Sequence, residues 1–176
     1  MAESIHEPHD IFSLTQIRHL MRVEFTRAQR YEYPLSCLVI ALDTAARLRD
    51  ERGYLAKAKV MDEVVSLVLG ATRTCDYVGR LLDDRLLAIL PHTRREGAEV
   101  TAGRIVAKGR ALKLPGEKEP AGAALSIGIS QYEKENTMFF DDLVEAAEQA
   151  MHEALAEGGN RFVYREPGPG ARAARG

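Results

Sequence analysis

The stretch Arg73–Thr93, RTCDYVGRLLDDRLLAILPHT, holds two short apolar runs separated by a polar turn. Asp76 to Leu81 and Leu86 to Leu90 read as two strands joined by Leu82-Asp83-Asp84-Arg85. Asp83 suits such a turn, because a short acidic side chain bonds nearby backbone and tolerates left-handed φ. Pro91 and Thr93 read as the opening of a helix that runs to about Leu112, with Ala98, Ala102, Ile105 and Val106 facing inward.

Upstream, Leu55 to Thr72 places Met61, Val64, Val65 and Val68 on one helical face. A shorter helix after Asp43 ends near Arg52, closed by Gly53. Leu35 to Leu42 is a continuous apolar run, the pattern of a strand buried on both faces. Before it, Leu14, Ile17, Leu20, Met21 and Phe25 recur at helical spacing over Ser13 to Tyr33, and Pro34 stops that helix. Downstream, Leu114 to Gly122 is a loop and Ala123 to Ser130 a strand. Phe139 to Glu157 is a helix with Leu143, Ala146, Ala150 and Ala154 inward, ended by Gly158-Gly159. Arg161 to Tyr164 makes a last strand. Strands alternating with amphipathic helices around one hairpin argue for an α/β sandwich on a ferredoxin-like core. The expected organisation is a flexible lead over 1–12, one folded domain over 13–165, and a disordered tail over 166–176 rich in Pro, Gly, Ala and Arg.

Composition narrows the function classes. The 176 residues are 45% hydrophobic and 28% charged, ordinary for a globular domain. A formal charge of -2, with basic residues scattered among acids, gives no global field for nucleic acid. No apolar run reaches the roughly 18 residues of a membrane span, and Met1 to Asp10 carries no signal-peptide core. Cys37 and Cys75 form neither a disulfide framework nor a CxxC pair, which fits a reducing cytosol. His6, His9, His19, His92 and His152 show no ligand spacing. Arg94, Arg95 and Arg110 read as solvated helix faces, and Cys75 as a small packed residue.

Four strings then share one resemblance. YPLSCLVIALD is similar to the first strand of the GGDEF (diguanylate cyclase) domain, RTCDYVGRLLDDRLLAILPHT to its central hairpin, and LSIGIS and AMHEALAEGGNRF to its late strand and its A-L-Y-x-A-K-x-x-G-x-N ending. Their order and spacing cover Leu14 to Tyr164. Leu14-Thr15 is similar to the family's D-x-L-T, but the asparagine-arginine turn that usually follows is missing. The resemblance implies a central, mostly antiparallel five-stranded sheet flanked by helices.

It also implies a degenerate active site. The family's G-G-D/E-E-F string falls on Leu82, Asp83, Asp84, Arg85 and Leu86. The two glycines let backbone approach substrate phosphates, since only a residue without Cβ fits; Leu82 and Asp83 fill that space. Asp84 alone survives of the two acids. An arginine at position 85, about 4 Å from a metal, would repel it by about 4 kcal/mol per unit charge at an effective dielectric near 20. The first metal aspartate falls on Ala41, leaving Asp43. The guanine readers fall on Arg49 and Ala58, and the phosphate cations on Leu155 and Gly159. By this resemblance the chain makes no cyclic di-GMP, needs no cofactor and holds no magnesium.

One family site persists. The family's inhibitory, product-binding site uses an R-x-x-D five residues before the GGDEF string, and Arg73-Thr74-Cys75-Asp76 stands there. A second arginine follows the hairpin's closing proline by thirteen residues, which is Arg104. A guanidinium fork suits guanine O6 and N7 or phosphate, and a carboxylate accepts from guanine N1 and N2. An isolated R-x-x-D is common, and Arg73 could merely cap a helix C-terminus; its position, with Arg104, points to ligand binding. The expected function is a cytoplasmic cyclic di-GMP receptor, whose occupancy alters contacts to an unidentified signalling protein or pairs two domains as a homodimer. Two alternatives stand beside it: a nucleotide-independent protein-interaction module, and a residual enzyme or GTP sensor.

Overall fold

The computed structural model describes residues 11–114 and 122–168. The expected lead before residue 11, the tail beyond 168 and most of the 114–122 loop lie outside the described residues. Helix α1 (Leu14–Tyr31) starts at a capping box: Ser13 Oγ accepts from Gln16 N, and Gln16 Oε1 accepts from Ser13 N. Strand β1 (Leu35–Leu42) follows Pro34. Helix α2 (Ala45–Ala71) is two helices in series, broken at Gly53 with φ 83°. Strands β2 (Tyr77–Arg80) and β3 (Leu86–Pro91) flank a single turn of 3-10 helix over Leu82–Asp84. Helix α3 (Arg95–Arg110), β4 (Leu125–Gln131), α4 (Phe140–Ala156) and β5 (Phe162–Tyr164) complete the order.

The sheet runs β2-β3-β1-β4-β5. All neighbours are antiparallel except β4 and β5, which α4 joins as a parallel pair. The central strand β1 is buried on both faces, so its run is continuously apolar. Leu38, Ile40 and Leu42 pack with Val64, Val68 and Ile105 under α2 and α3. Leu35, Cys37 and Val39 pack with Ile17, Met21, Leu143 and Met151 under α1 and α4. This period-two division fixes the register. On the α4 side, an added Cβ at Gly128 would lie 1.8 Å from the Ala147 carbonyl oxygen, so β4 and α4 approach backbone to backbone.

The expected helix start at Pro91–Thr93 is corrected. Pro91 pairs with Leu35 as the last residue of β3, its carbonyl accepts from Thr93 Oγ1 at 3.0 Å, and His92 takes φ 53°. The chain therefore leaves the sheet through a left-handed residue before the helix begins. The free edge of β2 is covered by Phe12, which bonds Val78 O and Arg80 N through its backbone. No helix among the described residues is long and apolar enough to cross a membrane.

Candidate functional site

The hairpin turn adopts a conformation that costs side chains strain. Asp83 and Asp84 both sit at φ 59°, in the left-handed region. The turn is closed by Leu81 N donating to Arg85 O at 2.7 Å. Leu82 projects into solvent at 66% exposure, while Leu86 is fully buried beside Ile40. The Asp84 carboxylate is ion-paired to Lys57, a largely buried ammonium on the second half of α2. Lys57, Asp84, Ala58 and Arg80 line a cavity of about 140 Å³.

Arg85 does not stand as an uncompensated charge in the turn, which corrects the expected repulsion. Its Nη1 lies 3.3 Å from Glu148 Oε1 on α4, and its Nε donates to Leu82 O. An ion-paired guanidinium presents far less net field to a neighbouring cation.

Asp43 follows β1 and is drawn inward. Its Oδ2 accepts from Asn160 N at 2.9 Å, bridging β1 to the entrance of β5. Gly159 sits at φ 73°, and an added Cβ would lie 2.3 Å from that same Asp43 oxygen. Ala41 is half-buried one strand position before Leu42, and Arg49, exposed on the first half of α2, pairs with its neighbour Asp50 at 3.1 Å. Leu155 lies part-exposed near the end of α4.

The Arg73–Asp76 segment is a closed loop between α2 and β2. Asp76 Oδ2 accepts from Arg73 N at 2.7 Å, and Asp76 N donates to Arg73 O at 3.0 Å. Arg73, Thr74 and Cys75 are exposed, so the expected packing of Cys75 is corrected. Asp76 is half-buried, and its Oδ1 is buried with no partner among the described residues. Burial pushes the Asp76 carboxyl up, against the Arg73 N–H and the Arg73 charge. Arg104, on α3, reaches across and donates to Ala71 O at 3.4 Å. The cation at the C-terminus of α2 is thus Arg104, with Arg73 left exposed two residues further on. The fold brings Arg104 to the end of α2, two residues before Arg73.

Other side chains sit as the sequence suggested, with surface partners added. Arg95 and Arg110 are exposed on α3; Arg95 pairs with Glu99 at 2.8 Å and lies 4.0 Å over the Tyr164 ring, and Arg110 donates to Asn160 O. His92 stacks on Tyr33 at 3.9 Å. One functional candidate was missed altogether. Glu24 is a buried carboxylate on α1, bonded by Tyr33, Tyr77 and Arg27. Its signal is its place on the stripe Ile17, Met21, Phe25, Ala28, where every other member is apolar.

A ferredoxin-like sheet carrying its site on a β2–β3 hairpin, with helices on both faces, defines the nucleotidyl-cyclase class of domain. Residues 11–161 match the family described as diguanylate cyclase, GGDEF domain, and the chain belongs to that family. The diguanylate cyclase DosC of Escherichia coli (strain K12) is 26% identical over 143 residues, 81% of this chain and 31% of that protein. The chain thus spans about a third of that relative's length. Among solved structures, the active GGEEF domain of a diguanylate cyclase from Vibrio cholerae superposes with TM-score 0.83 at 22% identity, covering 89% of this chain and 98% of that one. The GGDEF domain of DgcB from Caulobacter crescentus, solved with c-di-GMP, gives TM-score 0.80 at 15% identity and covers 88% of each chain. These likenesses establish the expected architecture.

Proposed function

We propose that this chain is a cyclic di-GMP receptor that does not synthesise the dinucleotide. The observation that carries the reading is the Arg73–Asp76 loop. It holds one Asp76 oxygen on its own backbone and leaves the other without a partner among the described residues, beside an exposed Arg73. A carboxylate so fixed is ready to accept from the N1 and N2 donors of a guanine, and the guanidinium to bond O6 and N7. Arg104 lies within reach of the same surface through its bond to Ala71.

The absence of synthesis is supported by the state of the surviving acids. Magnesium takes hard carboxylate oxygens together with substrate phosphates. Here Asp84 is held by a lysine ammonium and one Asp43 oxygen by the Asn160 amide, which leaves only Asp43 Oδ1 without a partner among the described residues, and a lone carboxylate oxygen is not a site for that ion. An arginine at Gly159 would have to displace Asp43 and adopt positive φ. A family member without synthesis but with the loop is a receptor, acting in the cytosol on a signalling partner or by pairing two copies. Calorimetric titration of R73A and D76A tests the site. Each should lose about 10- to 100-fold in affinity, matching about 1–3 kcal/mol per bidentate contact; unchanged binding in both would remove the assignment. A nucleotide-independent docking role is favoured only by exposed Leu82, which borders a groove of about 340 Å³ between α1, the hairpin and α4.

A further inference from the structure

Glu24 is 5% exposed, a carboxylate among the apolar side chains where α1 packs on the sheet. Its oxygens are divided unequally. Oε2 accepts from the Tyr33 hydroxyl at 2.7 Å, a full-strength O–H···O distance, just before β1. Oε1 is shared: Arg27 Nη1 lies at 3.1 Å and the Tyr77 hydroxyl at 3.3 Å. Tyr77 is the first residue of β2 and the immediate neighbour of Asp76. Its bond is longer than an ordinary hydroxyl–carboxylate contact, so it is the slack member of the cluster. Tyr33 anchors the carboxylate, and Arg27 retains Oε1 when Tyr77 moves.

We propose that Tyr77 and Glu24 form a relay that couples ligand occupancy at the Arg73–Asp76 loop to the seating of α1. The inference rests on the cyclic di-GMP reading above. A ligand that bonds Asp76 Oδ1 fixes the start of β2, and the Tyr77 hydroxyl is the first side-chain group beyond it that touches another element. The same strand is also bonded by the backbone of Phe12, immediately before α1, so the helix and its entry segment respond to β2 together. Coupling of this kind is reciprocal: whatever ligand does to α1 through Tyr77, loss of Tyr77's bond does to ligand affinity. Tyr77 is thus a positioning residue with no direct contact to ligand.

The test compares two phenylalanine substitutions that each remove one hydroxyl from the same carboxylate. Y77F should weaken cyclic di-GMP binding by about fivefold, whereas Y33F should leave it within about twofold of the parent. In the unsubstituted protein, ligand should slow amide exchange in α1 around Glu24, and Y77F should abolish that protection while still binding at saturating ligand. Should Y77F fail to fold, E24Q provides the second variant, keeping side-chain shape while weakening the Tyr77 acceptor; it should likewise uncouple α1 from ligand. Equal effects of Y77F and Y33F, or ligand binding without change in α1 exchange, would overturn the relay while leaving the receptor reading intact. No binding of cyclic di-GMP to the unsubstituted protein would overturn both.

Discussion

Asp76 carries opposed demands, and they can be separated by experiment. Burial raises its carboxyl above the ordinary value of 3.8. A group whose folded-state pKa is raised contributes stability that is present at low pH and lost as pH rises through that value, so the ionised form costs stability at neutral pH. D76N should therefore raise the melting temperature of the unliganded protein at pH 7 while weakening cyclic di-GMP binding by about 10- to 100-fold, with melting curves and calorimetry as the two readouts. In the parent, binding should weaken as pH falls toward and below the raised value, by about tenfold per unit once Asp76 is protonated, because a protonated acid no longer accepts from both guanine donors. A flat affinity profile down to the ordinary carboxylate range would remove Asp76 from the contact. Arg73, Asp76 and Arg104 could be nominated from the sequence because a motif and its spacing single them out, and the proposal for them stands or falls on binding. The Lys57–Asp84 and Arg85–Glu148 pairs and the Asn160–Asp43 bond could not be. Each joins residues far apart in sequence, and no local pattern announces which charge meets which.

Elements were read more securely than their ends. The β1 boundaries follow from Pro34 and the apolar run, and the Gly53 break and the α1 start follow from punctuation in the sequence. The α3 start was misread because proline suits both a strand's end and a first helical turn; β3 is an inner strand, but Pro91 lies past its pairing with β2, and the Leu35 pairing decides for the strand. Two predictions belong here. S13A removes the side-chain half of the α1 capping box and should cost about 1 kcal/mol by denaturant titration. G128A forces a methyl between β4 and α4, where the Ala147 carbonyl stands 1.8 Å from the new atom. Its cost should exceed the roughly 1–3 kcal/mol usual for overpacking, because backbone on both elements must move. A G128A protein as stable as the parent would mean that this packing is not as tight as described.

At the scale of the whole molecule, one sheet separates two surfaces with different fates. The end that holds the hairpin, Asp43 and Gly159 has Asp84 tied to a lysine and one Asp43 oxygen tied to an amide, with Asp43 Oδ1 left unpaired; the Arg73–Asp76 loop leaves Asp76 Oδ1 unpaired beside an exposed arginine. Incubation with GTP and magnesium should therefore yield no cyclic di-GMP above a protein-free control, as read by chromatography of the products. Gly159 makes the point from the other direction. Restoring an arginine there should destabilise the fold through positive φ and collision with Asp43, by about 1–3 kcal/mol or more, without restoring turnover. The most direct test of the account is calorimetric titration of the unsubstituted protein with cyclic di-GMP, repeated with GTP. Saturable binding of the dinucleotide, weakened about 10- to 100-fold in R73A and in D76A, with no heat from GTP, is the predicted result. No binding of cyclic di-GMP, or binding of GTP with turnover, would contradict it.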